Sequence, residues 1–219
     1  RYPVSRSFYS LIVGLAAMVA LSISHAAPAN PQVLIKTEKG DILVELYASE
    51  APVTVDNFVK HVNSYHYDGL IFHRVINKFM IQTGGFTFDL SPRQSERPTI
   101  VNEGRNGLKN KRGTLAMART NHPDSAQAQF FINHKSNTFL DSSDKKLGYA
   151  VFGRVIDGMK VVDAIAEVET ATKQMYQDVP VEAIRILSAR LFNPEAWTPL
   201  PEVQPKAKKL SFERPVPIK

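Results

Sequence analysis

The chain has 219 residues, 43% of them hydrophobic and 22% charged, which suits one substantial soluble domain and leaves little room for a second. It contains no cysteine, which excludes disulfides, thiolate metal sites and a cysteine nucleophile. Its net charge is +6, but Lys and Arg are spread along the main body rather than clustered with aromatics, so nucleic-acid binding is not indicated.

The first element is a leader. Arg1 and Arg6 precede an acid-free apolar run from Leu11 to about Leu21, followed by the small residues Ser24, Ala26 and Ala27. This order of charge, apolar run and small residues reads as a secretory signal over residues 1–26, cleaved near Ala26 or Ala27. The run falls short of the ~20 residues that span a bilayer, so no stable membrane insertion is expected after cleavage. Removal takes away Arg1 and Arg6 and lowers the net charge from +6 to +4.

A domain is expected over residues 27–193. Gln32–Thr37 and Asp41–Leu46 are short β-rich runs around Glu38-Lys39-Gly40, which reads as a three-residue hairpin. From Pro52 to Tyr65 the period changes: Val53, Val55, Phe58, Val59 and Val62 fall at helical spacing, and proline suits the first turn. Strand-like runs return at 70–75, 79–82, 113–118, 129–133 and 149–155. Residues 158–168 read as a second amphipathic helix with Asp157 as its N-cap. Residues 181–192 fit a helix by period or a closing strand, and the strand is favoured because Ile184 and Ile186 alternate with charged or polar neighbours. Many short strands with two helices predict a mainly β fold, a closed antiparallel barrel capped by the helices. Residues 194–219 are rich in proline and lysine and read as an extended tail.

Strand alternation sorts the remaining residues. Gln129 and Phe131 share one face and Phe130 and Ile132 the other; Met80 shares a face with Gln82, and Phe72 with Arg74. Two strands thus each offer a large apolar side chain beside an amide. The blocks FHRVINKFMIQTGG, GTLAMART, QFFIN, FLD and YAVFGRV, in that order and spacing, resemble the cyclophilin-type peptidyl-prolyl cis-trans isomerases, above all the short exported bacterial members. The resemblance runs from about Gln32 to Phe192. It implies a barrel of eight antiparallel strands capped by two helices, and isomerisation of X–Pro bonds to assist folding of exported proteins in the periplasm. The implied substrates are proline-containing unfolded or partly folded polypeptides, met by a monomer with no cofactor, metal or nucleic acid.

Site roles follow from the same resemblance. Arg74 matches the catalytic arginine and Gln82 the glutamine that helps orient it. Phe79, Met80, Phe131 and Leu140 match the walls of the proline pocket. Ala118 and Arg119 match the segment whose backbone pairs with substrate, Gln129 a polar contact beside it, and Phe139 and Tyr149 the rim. Phe139 stands where cyclosporin-sensitive eukaryotic members of the family carry tryptophan, so poor inhibition by cyclosporin is expected. His73, next to Arg74, invites a general-base role, but bond rotation transfers no proton. The alternative to an enzyme is a non-catalytic module that holds proline-containing segments in the same groove.

Overall fold

The computed structural model describes residues 29–201. The signal-like leader and the tail beyond residue 201 lie outside the described residues.

Strands β1 (Gln32–Thr37) and β2 (Gly40–Leu46) pair in register from Gln32–Glu45 to Thr37–Gly40. Their hairpin has a two-residue turn, Glu38-Lys39, not the expected three, because Gly40 already pairs with Thr37. The Thr37 hydroxyl fixes this turn, accepting from the Lys39 N–H and donating to the Gly40 carbonyl. Gly40 has φ +129°, and a Cβ there would meet Val161 at 2.8 Å, so both backbone and packing require glycine.

Helix α1 (Pro52–Asn63) starts on its proline but lacks a local side-chain cap. The Glu103 carboxylate caps it from a distant loop, accepting from the N–H groups of Val53 and Thr54 at 3.1 and 2.8 Å and from the Thr54 hydroxyl at 2.6 Å. An anion there satisfies orphan donors and complements the helix dipole. Then follow β3 (Arg74–Ile76), β4 (Met80–Thr83), β5 (Thr114–Met117), β6 (Phe130–Asn133), β7 (Val151–Asp157), α2 (Met159–Ala166), β8 (Thr170–Lys173), β9 (Tyr176–Pro180) and β10 (Ile186–Leu191). The N-cap of α2 is Gly158, at φ +87°, and not Asp157, whose carboxylate instead accepts from the Gly158 N–H.

Eight strands form one antiparallel sheet in the order β10-β1-β2-β7-β5-β6-β4-β3. The fold is mainly β with two helices, as expected, but the sheet is a half-barrel and its ladder does not close. Of the predicted run 70–75 only Arg74 and Val75 lie in strand β3, and Tyr65 and Gly69 take positive φ and turn the chain just before the run. Across the gap, the Phe72 N–H donates to Ile184 O, and Ile186 and Gly69 exchange bonds with Leu70 and Ile186 carbonyls. The β8–β9 hairpin, which the sequence pattern did not predict, forms a separate two-stranded sheet and packs β9 against β3.

The main core lies inside the half-barrel. Phe58 of α1 sits within 5.2–5.3 Å, ring to ring, of Tyr67, Phe130 and Phe152. The sealed Tyr67 hydroxyl donates to Ala128 O at 2.9 Å, so its burial leaves no orphan donor. Residues 194–200, expected as the start of an extended tail, pack on α1: Trp197 lies against the main core, and the Leu200 N–H donates to the Asp56 carboxylate at 2.9 Å.

Candidate active site

One cross-strand row builds the site. Arg74 of β3 stands opposite Gln82 of β4, Gln82 opposite Phe131 of β6, and Phe131 opposite Ala116 of β5. Residues directly opposite share a face of the sheet, so these four project together, with Met80 two residues along β4 on the same side. The next row, Val75, Ile81, Ile132 and Leu115, points into the main core. The expected pairing of Phe72 with Arg74 fails: Phe72 precedes the strand and its side chain joins the main core.

Met80, Phe131 and Leu140 are buried in a second apolar cluster, with Phe79, Ala118 and Tyr149 partly buried against it. Leu140 comes from the short 3-10 turn Thr138–Leu140. The Asn137 amide secures that turn, donating to Phe79 O at 2.9 Å and to Asn133 Oδ1 at 2.8 Å. At the rim Phe139 is 61% exposed and stacks on Phe79 at 5.6 Å, while Tyr149 meets Phe131 edge-on at 5.7 Å. Phe79, Met80, Phe131, Leu140 and Tyr149 thus meet in one apolar cluster, with Phe139 stacked on its Phe79 edge. It adds Leu108 and Ile76, which no motif marked.

Arg119 holds the far wall. Its guanidinium donates to Thr120 O and Leu147 O, each at 2.9 Å, and lies 4.7 Å over the Tyr149 ring. The neighbouring Ala118 N–H donates to Gln129 O at 3.0 Å. A cleft of about 310 Å³ opens beside this segment, lined in part by Gln82, Gln129, Phe86 and Thr120. Gly85 leaves room for the Gln129 side chain, because a Cβ there would stand 2.4 Å from its Nε2.

The polar partners differ from those the resemblance implies. The Gln82 amide donates to Gln129 Oε1 at 3.0 Å. The Arg74 side chain makes no hydrogen bond among the described residues; its ion partner is Asp178, with Oδ2 3.8 Å from Nε, and the side chain is 44% exposed. Asp178 sits on β9 at φ +59°, and sequence reasoning missed it because it missed the hairpin. His73 is buried with its ring 4.6 Å from Phe86 and its Nδ1 unpartnered. Burial pushes its pKa down to about 4, so it is neutral at pH 7. No group of three or more His, Cys, Asp or Glu among the described residues could hold a metal ion.

The family profile "Cyclophilin type peptidyl-prolyl cis-trans isomerase/CLD" matches residues 32–191. A peptidyl-prolyl cis-trans isomerase of Acinetobacter baylyi is 52% identical over 171 residues, 78% of this chain and 90% of that protein. Peptidyl-prolyl cis-trans isomerase B of Escherichia coli is 50% identical over 71% of this chain and 96% of its own length. A crystal structure of a Cryptosporidium parvum cyclophilin type isomerase in the presence of the dipeptide Ala-Pro superposes with a TM-score of 0.60 at 27% identity, covering 73% of this chain and 98% of that one. With the profile spanning most of the chain and these relatives matched almost end to end, the protein belongs to the cyclophilin-type peptidyl-prolyl cis-trans isomerases.

Proposed function

We propose that this isomerase acts on X–Pro bonds of unfolded or partly folded exported polypeptides, using Arg74 to stabilise the twisted amide while the apolar hollow holds the proline ring. The barrier to rotation is ~20 kcal/mol and comes from amide resonance, so no bond need break. A catalyst has to favour the deconjugated amide over both planar forms. In that twisted state the prolyl nitrogen becomes pyramidal and can accept a hydrogen bond. Lowering the barrier by ~7 kcal/mol speeds rotation roughly 10⁵-fold.

The observation that carries this reading is the row Arg74–Gln82–Phe131: a permanent cation stands on the same face as a buried apolar wall. Because the Arg74 guanidinium makes no hydrogen bond among the described residues, its donors are available to substrate. Gln82 and Gln129, bonded to each other, form a polar ledge between Arg74 and the segment at Ala118 and Arg119. Phe79, Met80, Phe131 and Leu140 grip the ring, and Phe139 and Tyr149 border its entrance. No step moves a proton or needs a cofactor, and neutral His73 takes no chemical part. The non-catalytic binding reading needs the hollow but gives Arg74 no task.

The leader over residues 1–26 supports export, with the mature enzyme working as a periplasmic monomer, neither inserted in the membrane nor bound to nucleic acid. Isomerisation of a proline tetrapeptide, wild type beside Arg74→Ala, tests the catalytic assignment. The intact mass of protein from a periplasmic extract tests export: the account expects a start near Ala27, and the unprocessed chain in the membrane fraction would refute it.

A further inference from the structure

The proline hollow is bordered on one side by cations that bond rotation does not use. Three segments meet there: the turn Asn77-Lys78 leading into Phe79, the loop 104–112 that contributes Leu108, and residues 134–146 that contribute Phe139 and Leu140. They are tied to one another. The Asn137 side chain donates to Phe79 O at 2.9 Å and its N–H to Asn110 O at 2.8 Å, while the Asn110 N–H donates to the Asp141 carboxylate at 2.7 Å. Lys146 Nζ donates to Phe139 O on the rim itself. The segments that carry these charges are therefore tied to one another beside Phe79, Leu108 and Leu140.

Arg105, Lys109 and Lys111 lie on the first loop, Lys135 and Lys145 on the second, and Lys78 in the turn; all are exposed. None of them has an ion-pair partner among the described residues, whereas Arg112 is neutralised by a bidentate pair with Asp163 at 2.8 and 2.9 Å. Between Gly104 and Gly113 the chain carries no acid, and residues 134–146 carry only Asp141 and Asp144. Arg105 and Lys109 share a groove of about 210 Å³ with Ser142, Ser143 and Asp144, next to Leu108 of the hollow's wall. On the opposite side the cation Arg74 is offset by Asp178 beside it.

We propose that this rim is a docking surface for acidic residues flanking the substrate proline, so that the enzyme favours X–Pro bonds set among Asp and Glu over those set among Lys and Arg. The inference rests on the reading of the hollow as the proline site. Same-sign charges gathered beside a low-dielectric wall focus the field and raise encounter rates with oppositely charged partners. Their reach is one Debye length, about 8–10 Å at physiological salt, which covers the residues next to a bound proline.

The test compares kcat/KM for peptides sharing one X–Pro bond and flanked by Glu, Gln or Lys, at about 20 mM and about 500 mM salt. It is run on the wild type and on the triple variant Lys109→Glu, Lys111→Glu, Lys145→Glu. Reading the Glu-to-Gln and Lys-to-Gln ratios within each protein cancels any loss of folded enzyme. The wild type should prefer Glu over Lys peptides by roughly 3–10-fold at low salt, falling below about 2-fold at high salt, and the triple variant should invert the preference. Equal ratios at low salt, or a preference that survives the reversal, would overturn the proposal. So would binding to phosphatidylglycerol vesicles without peptide discrimination, which would assign the rim to a lipid surface. Failure of the proline-site reading would look different, as absence of turnover even with the Gln peptide.

Discussion

On the inner face of β3, β4, β5 and β6 stand Val75, Ile81, Leu115, Phe130 and Ile132, each at most 1% exposed. On the outer face of the same strands stand Arg74, Gln82, Ala116, Phe131 and Met80, where buried apolar groups adjoin a half-exposed cation. The inner face is finished: its rings interlock, and the buried hydroxyls of Tyr67 and Thr83 both donate to backbone carbonyls. The outer face is left open, with a guanidinium that has an ion partner at 3.8 Å and no hydrogen bond among the described residues. One face spends its contacts on stability, and the other leaves a cation open beside an apolar wall, which is what a planar amide that twists only in the transition state would require.

The comparison breaks most easily from the inside. Phe58→Ala removes the ring at the centre of the aromatic cluster and should cost about 3–5 kcal/mol in urea unfolding. The fraction that remains folded should keep near-normal turnover. If turnover per folded molecule collapsed as well, the two faces would not be separable.

Acid should unsettle the packed interior next. Burial lowers the pKa of both His61 and His73 from 6.5 to about 4. Below pH 6.5 the unfolded chain binds protons that the native state refuses, so stability is complete above that pH and falls as pH drops toward 4. By pH 5 the loss should be on the order of 2 kcal/mol for each histidine. Urea midpoints at pH 7 and pH 5 check the sign, and equal midpoints would contradict it.

A smaller effect should come from the end of the described chain. Truncation after Asn193 removes Trp197 from the core and the Leu200 contacts with Asp56 and Lys60. It should lower stability by about 1–2 kcal/mol and leave turnover intact, because these contacts are to α1 and not to the site. Unchanged stability would show that residues 194–200 do not hold the body.

Much of this was legible from residue patterns. Alternation located β1, β2 and the site strands, and the spacing of Val55, Phe58, Val59 and Val62 located α1. Phe79, Met80, Phe131 and Leu140 were legible through the motif blocks, which hold at fixed offsets two strand residues, Met80 and Phe131, and two turn residues, Phe79 and Leu140. The β8–β9 hairpin was not: its strands bury little beyond Val179 and Pro180, and Gln174 and Asp178 take positive φ without being glycine. Asp178 went unseen with it. Choices made by distant partners were also hidden, such as Glu103 capping α1 and Gln82 bonding Gln129. The open seam was hidden too, since closure depends on where Gly69–Phe72 lies and not on any strand's own pattern.

The central claim is that Arg74 acts on the twisted amide and little on the planar one, and paired measurements on Arg74→Ala test it most directly. Turnover of a proline tetrapeptide should fall roughly 10²–10³-fold, the scale for losing one preorganised donor. The dissociation constant of the same peptide should change by less than about 5-fold, since the hollow that grips the planar form is untouched. Near-normal turnover, or a loss of binding as large as the loss of rate, would contradict the account.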